Sequence, residues 1–173
     1  VSKVYFTSDL HLGHRNIHKL RSRVETSFQS GEFIEFSEEK EHVEALVDLW
    51  SSVVTKRDTV FVLGDVAFTK AGLDTFSQLP GRKRVILGNH DIDGKAFAPI
   101  VDSVEGLVKY KKQFWLSHSP IHPEELRGKL NIHGHVHYQT LDDSRYFSVC
   151  PENIGLAPIP YETILRIIND RNS

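Results

Sequence analysis

Short apolar runs that end abruptly at polar residues set the pattern of this chain. Residues 3–8 read as a first strand stopping at Asp9. Residues 59–63, Thr-Val-Phe-Val-Leu, are almost continuously apolar and stop at Gly64-Asp65. Residues 84–87 do the same before Gly88-Asn89. Such runs fit central strands buried on both faces. Helical patterns lie between them. Ser37 suits an N-cap, with Glu38 and Glu39 at the positive helix end. Val43, Leu46, Val47, Trp50, Val53 and Val54 then form one stripe turned to a core. A shorter helix is predicted over residues 70–78, before Pro80-Gly81. Strand, helix and strand in alternation imply a parallel sheet.

The second half has a different pattern. Residues 104–110 and 113–117 read as paired strands around a Lys111-Lys112 turn. Residues 130–133 form a strand running into Gly134, and residues 145–150 a further one. The Pro160 region opens a last helix with Tyr161, Ile164, Leu165 and Ile168 on one face. Residues 21–36 are the least regular part, either a functional loop or a connector whose aromatics plug the core edge. The whole, residues 1–173, is expected to be one domain.

Composition narrows the classes. A net charge of −2 gives no large field for nucleic acid or an anionic membrane. The Arg82-Lys83-Arg84 and Lys109, Lys111, Lys112 clusters read as solvated surface. The single cysteine, Cys150, excludes an internal disulfide and reads as a buried thiol between apolar neighbours. No apolar run reaches the ~20 residues of a membrane span. The start is strand-like and lacks a signal-peptide pattern, so a reducing cytoplasm is the expected location.

Five motifs then occur in one order. They are Asp9-Leu10-His11, Gly64-Asp65, Gly88-Asn89-His90-Asp91, His118 and Gly134-His135-Val136-His137. Together they offer oxygen and nitrogen donors for two divalent metals, with one histidine to spare for proton transfer. Each follows a predicted strand, so the donors gather where open α/β sheets place their sites. In an extended segment, His135 and His137 face the same way.

On these motifs the chain resembles a compact, single-domain member of the calcineurin-like metallophosphoesterase superfamily. The resemblance runs from Val4 to His137. It implies a four-layer α-β-β-α sandwich of two mixed sheets flanked by helices. It also implies Asp9, His11 and His137 on a first metal, Asp65 bridging, and Asn89, His118 and His135 on a second. The ions would be manganese, iron, zinc or nickel, with manganese the one to use in vitro. His90 would sit at the leaving-group oxygen, where Asp91 is placed to orient its ring. The activity implied is hydrolysis of a phosphate ester by a metal-bridging hydroxide, with no covalent intermediate.

Four further residues are candidates for binding substrate. Arg15 could hold a phosphate oxygen at two points, with His14 and Asn16 beside it. His122 follows the second metal's motif. His133 reads as a packed strand residue or one that supports a ligand from behind, and His18 and His42 as surface or helix positions. Only residues 119–134 lie between His118 and His135, which leaves little room for a cap. An open site for small phosphodiesters or phosphomonoesters, nucleotide-like compounds first, is the expectation. An inactive scaffold of the same fold is the alternative, as is a nuclease or a protein phosphatase. The protein-phosphatase branch usually adds an arginine-bearing extension, where this chain continues Asp91-Ile92-Asp93-Gly94.

Overall fold

A computed structural model describes residues 1–171. Its framework is a five-stranded sheet and a four-stranded sheet. In the first, β1 (Val4–Thr7), β4 (Thr59–Leu63), β5 (Arg82–Ile86) and β6 (Ser103–Glu105) are parallel neighbours. β11 (Ile159–Pro160) pairs antiparallel with β1 at the edge. In the second sheet β10 (Tyr146–Ser148), β9 (Leu130–His133) and β8 (Phe114–Ser117) are parallel. β7 (Val108–Tyr110) closes it antiparallel to β8.

The apolar runs are continuous because the first sheet is covered on both faces. Side chains alternate along each strand. Tyr5, Val60, Val62 and Val85 join one core with Leu46 and Trp50 of helix α2 (Glu39–Val53) and Phe76 of α3 (Lys70–Gln78). Phe6, Phe61, Leu63 and Ile86 enter the other, where Leu116, Ile132 and Phe147 of the second sheet meet them. The last helix (Tyr161–Arg171) adds Tyr161, Ile164 and Ile168 to that second core. At its far end the Arg171 guanidinium lies 5.3 Å from the Phe147 ring centroid. The helix thus runs from the β11 edge of one sheet to the β10 edge of the other. This is the expected sandwich of two mixed sheets flanked by helices.

Several local expectations shift. Residues 104–110 are not one strand. The chain pairs with β5 through β6, leaves that sheet at Gly106-Leu107, and enters the second as β7. Helix α2 begins one residue later than a Ser37 cap would place it. Glu41 reaches back instead, accepting from the Ser37 amide at 2.7 Å and hydroxyl at 2.8 Å. Helix α3 is capped by Thr69, whose hydroxyl accepts from the Gly72 amide. Such a cap contributes about 1 kcal/mol.

Lys83 is not solvated. It is 5% exposed, and its ammonium donates to the Leu79 carbonyl at 2.6 Å where α3 ends. Its neighbour Arg84 pairs with Glu105. Lys109, Lys111 and Lys112 are exposed, as read from the sequence.

The irregular segment is an anchored hairpin, β2 (Arg23–Glu25) against β3 (Phe33–Glu35). The Leu156 and Ala157 amides donate to the Glu25 and Thr26 carbonyls at 2.9 Å each, fastening it to the body. Just before it, α1 (Ile17–Leu20) ends at Arg21, which is completely buried. No helix among the described residues is long and apolar enough to cross a membrane.

Candidate metal centre

All five motifs leave the carboxyl ends of strands. Asp9 follows β1, Asp65 follows β4, Asn89 follows β5, His118 follows β8, and His135 follows β9. Two loops are tied across the ends, Asp9 N to Gly64 O at 2.8 Å and His11 N to Asp65 O at 3.0 Å. Two glycines are needed for close approach. A Cβ at Gly88 would strike the Asp65 carboxylate, and one at Gly134 would strike Asp9 and Ser8.

The donors form two groups that share Asp65. In one, His11 Nε2 lies 3.7 Å from both Asp9 Oδ1 and Asp65 Oδ2, and His137 Nε2 lies 3.7 Å from Asp9 Oδ1. In the other, His118 Nε2 lies 2.9 Å from Asn89 Oδ1, 3.1 Å from His135 Nδ1 and 3.5 Å from Asp65 Oδ1. The carboxylate of Asp65 therefore offers one oxygen to each side.

This geometry fits metal ions. Asp9 Oδ1 and His11 Nε2 are buried and have no hydrogen-bond partner among the described residues. Leaving both unpaired is costly unless something else satisfies them. Donors 3.7 Å apart suit a common ion at ordinary bond lengths of about 2.0–2.2 Å. The donor set is carboxylate, amide and imidazole, the chemistry of borderline divalent metals.

Ring orientations are set from behind. His118 Nδ1 lies 2.8 Å from the Leu63 carbonyl. A carbonyl only accepts, so Nδ1 carries the proton and Nε2 keeps its lone pair. His137 Nδ1 lies 2.9 Å from Glu152 Oε1, which leaves its Nε2 free in the same way. The Glu152 hydrogen bond raises the pKa of the metal-free His137 ring. Burial works against the charge on Asp9, but the neighbouring His11 and Ser8 side chains and the hydrogen bond from the His135 amide outweigh it and hold the carboxyl well below its usual range. Burial lowers the His11 pKa and so favours the neutral, metal-binding form.

Cys150 is buried beside Asp9, its thiol donating to Oδ2 at 3.4 Å. Burial pushes that thiol up to about 12, so it stays protonated.

Five of these donors sit on left-handed backbone: Asp9 (φ 51°), His11 (54°), Asp65 (51°), His135 (73°) and His137 (52°). Non-glycine residues rarely adopt that conformation, and each instance costs on the order of 1–3 kcal/mol. The surrounding hydrogen bonds must hold it.

Asp91 acts differently from its sequence assignment. Its carboxylate accepts from four backbone amides: Gly88 at 2.7 Å, Asp65 at 2.9 Å, Val66 at 2.7 Å and Ala67 at 3.3 Å. With its oxygens so occupied it clamps two ligand loops together rather than orienting His90. The His90 amide donates to Asp65 Oδ1 at 3.0 Å. Its exposed ring packs beside Phe68, at 5.6 Å between centroids.

The four substrate-binding candidates separate. His14 joins the rim, 5.7 Å from the His11 ring and 5.4 Å from Phe68. Arg15 and Asn16 are exposed on the turn before α1. His122 is not brought to the centre. Its Nδ1 caps the 3-10 turn Pro123–Leu126 by accepting from the Glu124 amide. Two histidines read as bystanders are buried. His133 packs by Tyr146, as expected for a strand residue. His42 is on a helix but fully buried, correcting the surface option.

Sequence reasoning missed Arg21 and Glu152. Arg21 donates to Glu152 Oε1 at 2.9 Å and to the Asp9 carbonyl at 2.9 Å, and its Nη1 lies 3.2 Å from His42 Nε2. Glu152 in turn holds His137. The Arg21 charge and the His137 bond offset the burial of Glu152 and hold its carboxyl down to about 2.

Comparison with known proteins agrees with this centre. The model of the calcineurin-like phosphoesterase family matches residues 2–154, and the chain belongs to that family. It is 41% identical over 96 residues to the Gene 66 protein of Mycobacterium phage L5, covering 53% of this chain and 41% of the phage protein. The chain thus spans about two fifths of the length of the phage relatives it matches. It is 29% identical to MJ1445 of Methanocaldococcus jannaschii, over 96% of this chain and 91% of that one. In fold it is similar to the Aquifex aeolicus protein AQ665, at a TM-score of 0.70 and 24% identity, covering 96% of this chain and 100% of that one.

Proposed function

We propose that this protein hydrolyses small phosphodiesters or phosphomonoesters, nucleotide-like compounds foremost, at a dinuclear metal centre. The observation that carries the reading is Asp65, whose two carboxylate oxygens face two separate groups of donors. Asp9, His11, Asp65 and His137 would hold one ion, and Asp65, Asn89, His118 and His135 the other. Manganese, iron, zinc and nickel all suit this donor set.

When bound, two divalent ions acidify water to near-neutral pKa and draw negative charge from the phosphoryl oxygens. The chain supplies only two carboxylates among these seven donors. The loaded centre keeps a positive excess, which attracts a phosphate anion. His90 is the motif histidine left without a donor role. Its exposed ring is free to give a proton to a leaving oxygen. His14 and Arg15 are the rim residues proposed to touch substrate. We propose a cytoplasmic location, since a sequence with a single cysteine relies on no internal disulfide and suits a reducing compartment.

The test is a turnover screen of the manganese-loaded protein. Substrates are phosphomonoesters, linear and cyclic phosphodiesters, dinucleotides and nucleotide sugars. Saturable hydrolysis of one class, abolished by chelation and restored by manganese, is the expected result. Two bound ions with no turnover of any class would overturn it in favour of the scaffold.

A further inference from the structure

A cleft of about 580 Å³ opens beside the second group of donors. That volume lies within the range of small-molecule sites. Asn89, His118 and His135 line it together with three aliphatic side chains, Leu87, Leu107 and Ile121. No carboxylate, lysine or arginine is among its lining residues.

Beyond the candidate ligands, several of its polar groups are already engaged. The Ser117 hydroxyl donates to the Ser119 carbonyl at 2.7 Å and accepts from Asn131 at 3.0 Å. The Ile121 amide donates to Asn131, and the Leu87 amide to the Glu105 carbonyl. Away from those three candidate ligands, its walls carry no charged side chain to reward an ionic group. Apolar surface, by contrast, would leave water against three aliphatic walls.

The cleft exists because of how the chain changes sheets. Between β6 and β7 the backbone leaves one ladder for another, and Gly106-Leu107 make the crossing. Leu107 is left 53% exposed there. A Cβ placed on Gly106 meets nothing within 4 Å, and its φ is not left-handed. A larger side chain at Gly106 would therefore occupy free space without backbone strain.

We infer that this cleft is a subsite for an uncharged, largely apolar group attached to the substrate's phosphorus centre. The inference rests on the phosphoesterase reading, since the phosphate must lie at the candidate ligands for its substituent to reach Leu107. It selects an aryl or nucleobase-bearing ester over a small alkyl ester.

Benzylphosphonate and methylphosphonate test this directly, because both carry the phosphate-like head and neither can be hydrolysed as an ester. Their affinities for the manganese-loaded protein are measured by calorimetry. The benzyl compound should bind about tenfold tighter or better, at the low end of what an apolar pocket discriminates. Gly106→Phe and Leu107→Glu should both bring the ratio toward one. Leu107 is exposed and Gly106 unstrained, so both variants should fold, and circular dichroism with manganese stoichiometry checks that they do.

A ratio near one in the wild type overturns the subsite while leaving the phosphate site standing. So does a high ratio untouched by both substitutions, because the benzyl group then sits elsewhere. Failure of both phosphonates to bind, with manganese in place, overturns the subsite and the phosphoesterase reading together.

Discussion

Replacing Arg21 with Met should unfold this protein far more easily than any surface change. The side chains of Arg21 and Glu152 are 0% and 2% exposed and meet at 2.9 Å. Met fills much of the arginine's volume but leaves the carboxylate without its cation. Glu152 Oε2 already has no hydrogen-bond partner among the described residues, so no spare donor there stands ready. Only His137 remains to Oε1. Removing one member of a buried pair costs about 3–5 kcal/mol. For a chain of this size, each kcal/mol moves the melting point by about 2–4 °C, so a fall of roughly 6–20 °C is expected.

The control is Arg21→Met with Glu152→Gln. The amide oxygen can still accept from His137 Nδ1–H, and the stranded charge is gone. This double variant should recover more than half of the loss, because replacing both members of such a pair is often nearly neutral. The assay is urea unfolding of the metal-free protein, followed by tryptophan fluorescence, to which buried Trp50 and half-buried Trp115 both contribute. Two outcomes would refute the reasoning. One is a single variant within about 1 kcal/mol of wild type. The other is a coupling energy below about 0.5 kcal/mol across the cycle, the level seen for independent sites.

Three other outcomes are expected. Glu152→Gln alone should weaken one of two manganese-binding events by about 10–100-fold and spare the other, since it disturbs the support of His137 only; calorimetry that shows both events shifted equally would count against this. His90→Ala should keep both ions and slow turnover by roughly 10²–10⁴-fold, with less effect on esters of acidic leaving groups; an unchanged rate on a poor leaving group would assign the proton elsewhere. Burial first, and the neighbouring Arg21 charge second, hold His42 down to about 3, below its usual 6.5. Below pH 6.5 the unfolded chain takes up a proton that the folded one refuses, so this contribution to stability is full above 6.5 and falls toward pH 3, by at most about 1.4 kcal/mol per unit. Unfolding midpoints at pH 7 and pH 5 should therefore separate more for wild type than for His42→Gln, and equal separations would exclude the effect.

The strands and the gathering of the candidate donors at their ends were legible because each rests on a local signal. Residues 59–63 are apolar without interruption, and helix α3 lies over the residues its pattern indicated, because Thr69 and Pro80 mark its ends. The seven donors follow strand ends, and parallel neighbours bring those ends together whatever the loops do. What stayed hidden depends on pairs far apart in sequence. Arg21 reads as one more polar residue in an irregular stretch, since its partner Glu152 is 131 positions away. Asp91 adjoins His90 in the chain, yet its oxygens point to four amides. The break between β6 and β7 had a signal in Gly106, which the alternating apolar positions Val104, Val108 and Tyr110 masked. Lys83 looked solvated because a charge cluster does not reveal which of its members lies under a helix end.

The left-handed corners at Asp9, His11, Asp65, His135 and His137 change how this centre should be dissected. Alanine scanning assumes that a truncated side chain leaves the backbone indifferent. Here it does not, because alanine adopts a positive φ less readily than aspartate, asparagine or glycine. An alanine variant at any of the five would add main-chain strain to the loss of a donor, and a fall in metal affinity would mix the two. Asparagine suits these positions better, since its backbone accepts the corner while its amide carries no charge. Asn89 and His118 lie outside this group, so alanine there reports the side chain alone. Comparing the unfolding of metal-free Asp65→Asn and Asp65→Ala, where no ion is present for the amide oxygen to ligate, would then measure how much strain the main chain holds before any ion arrives.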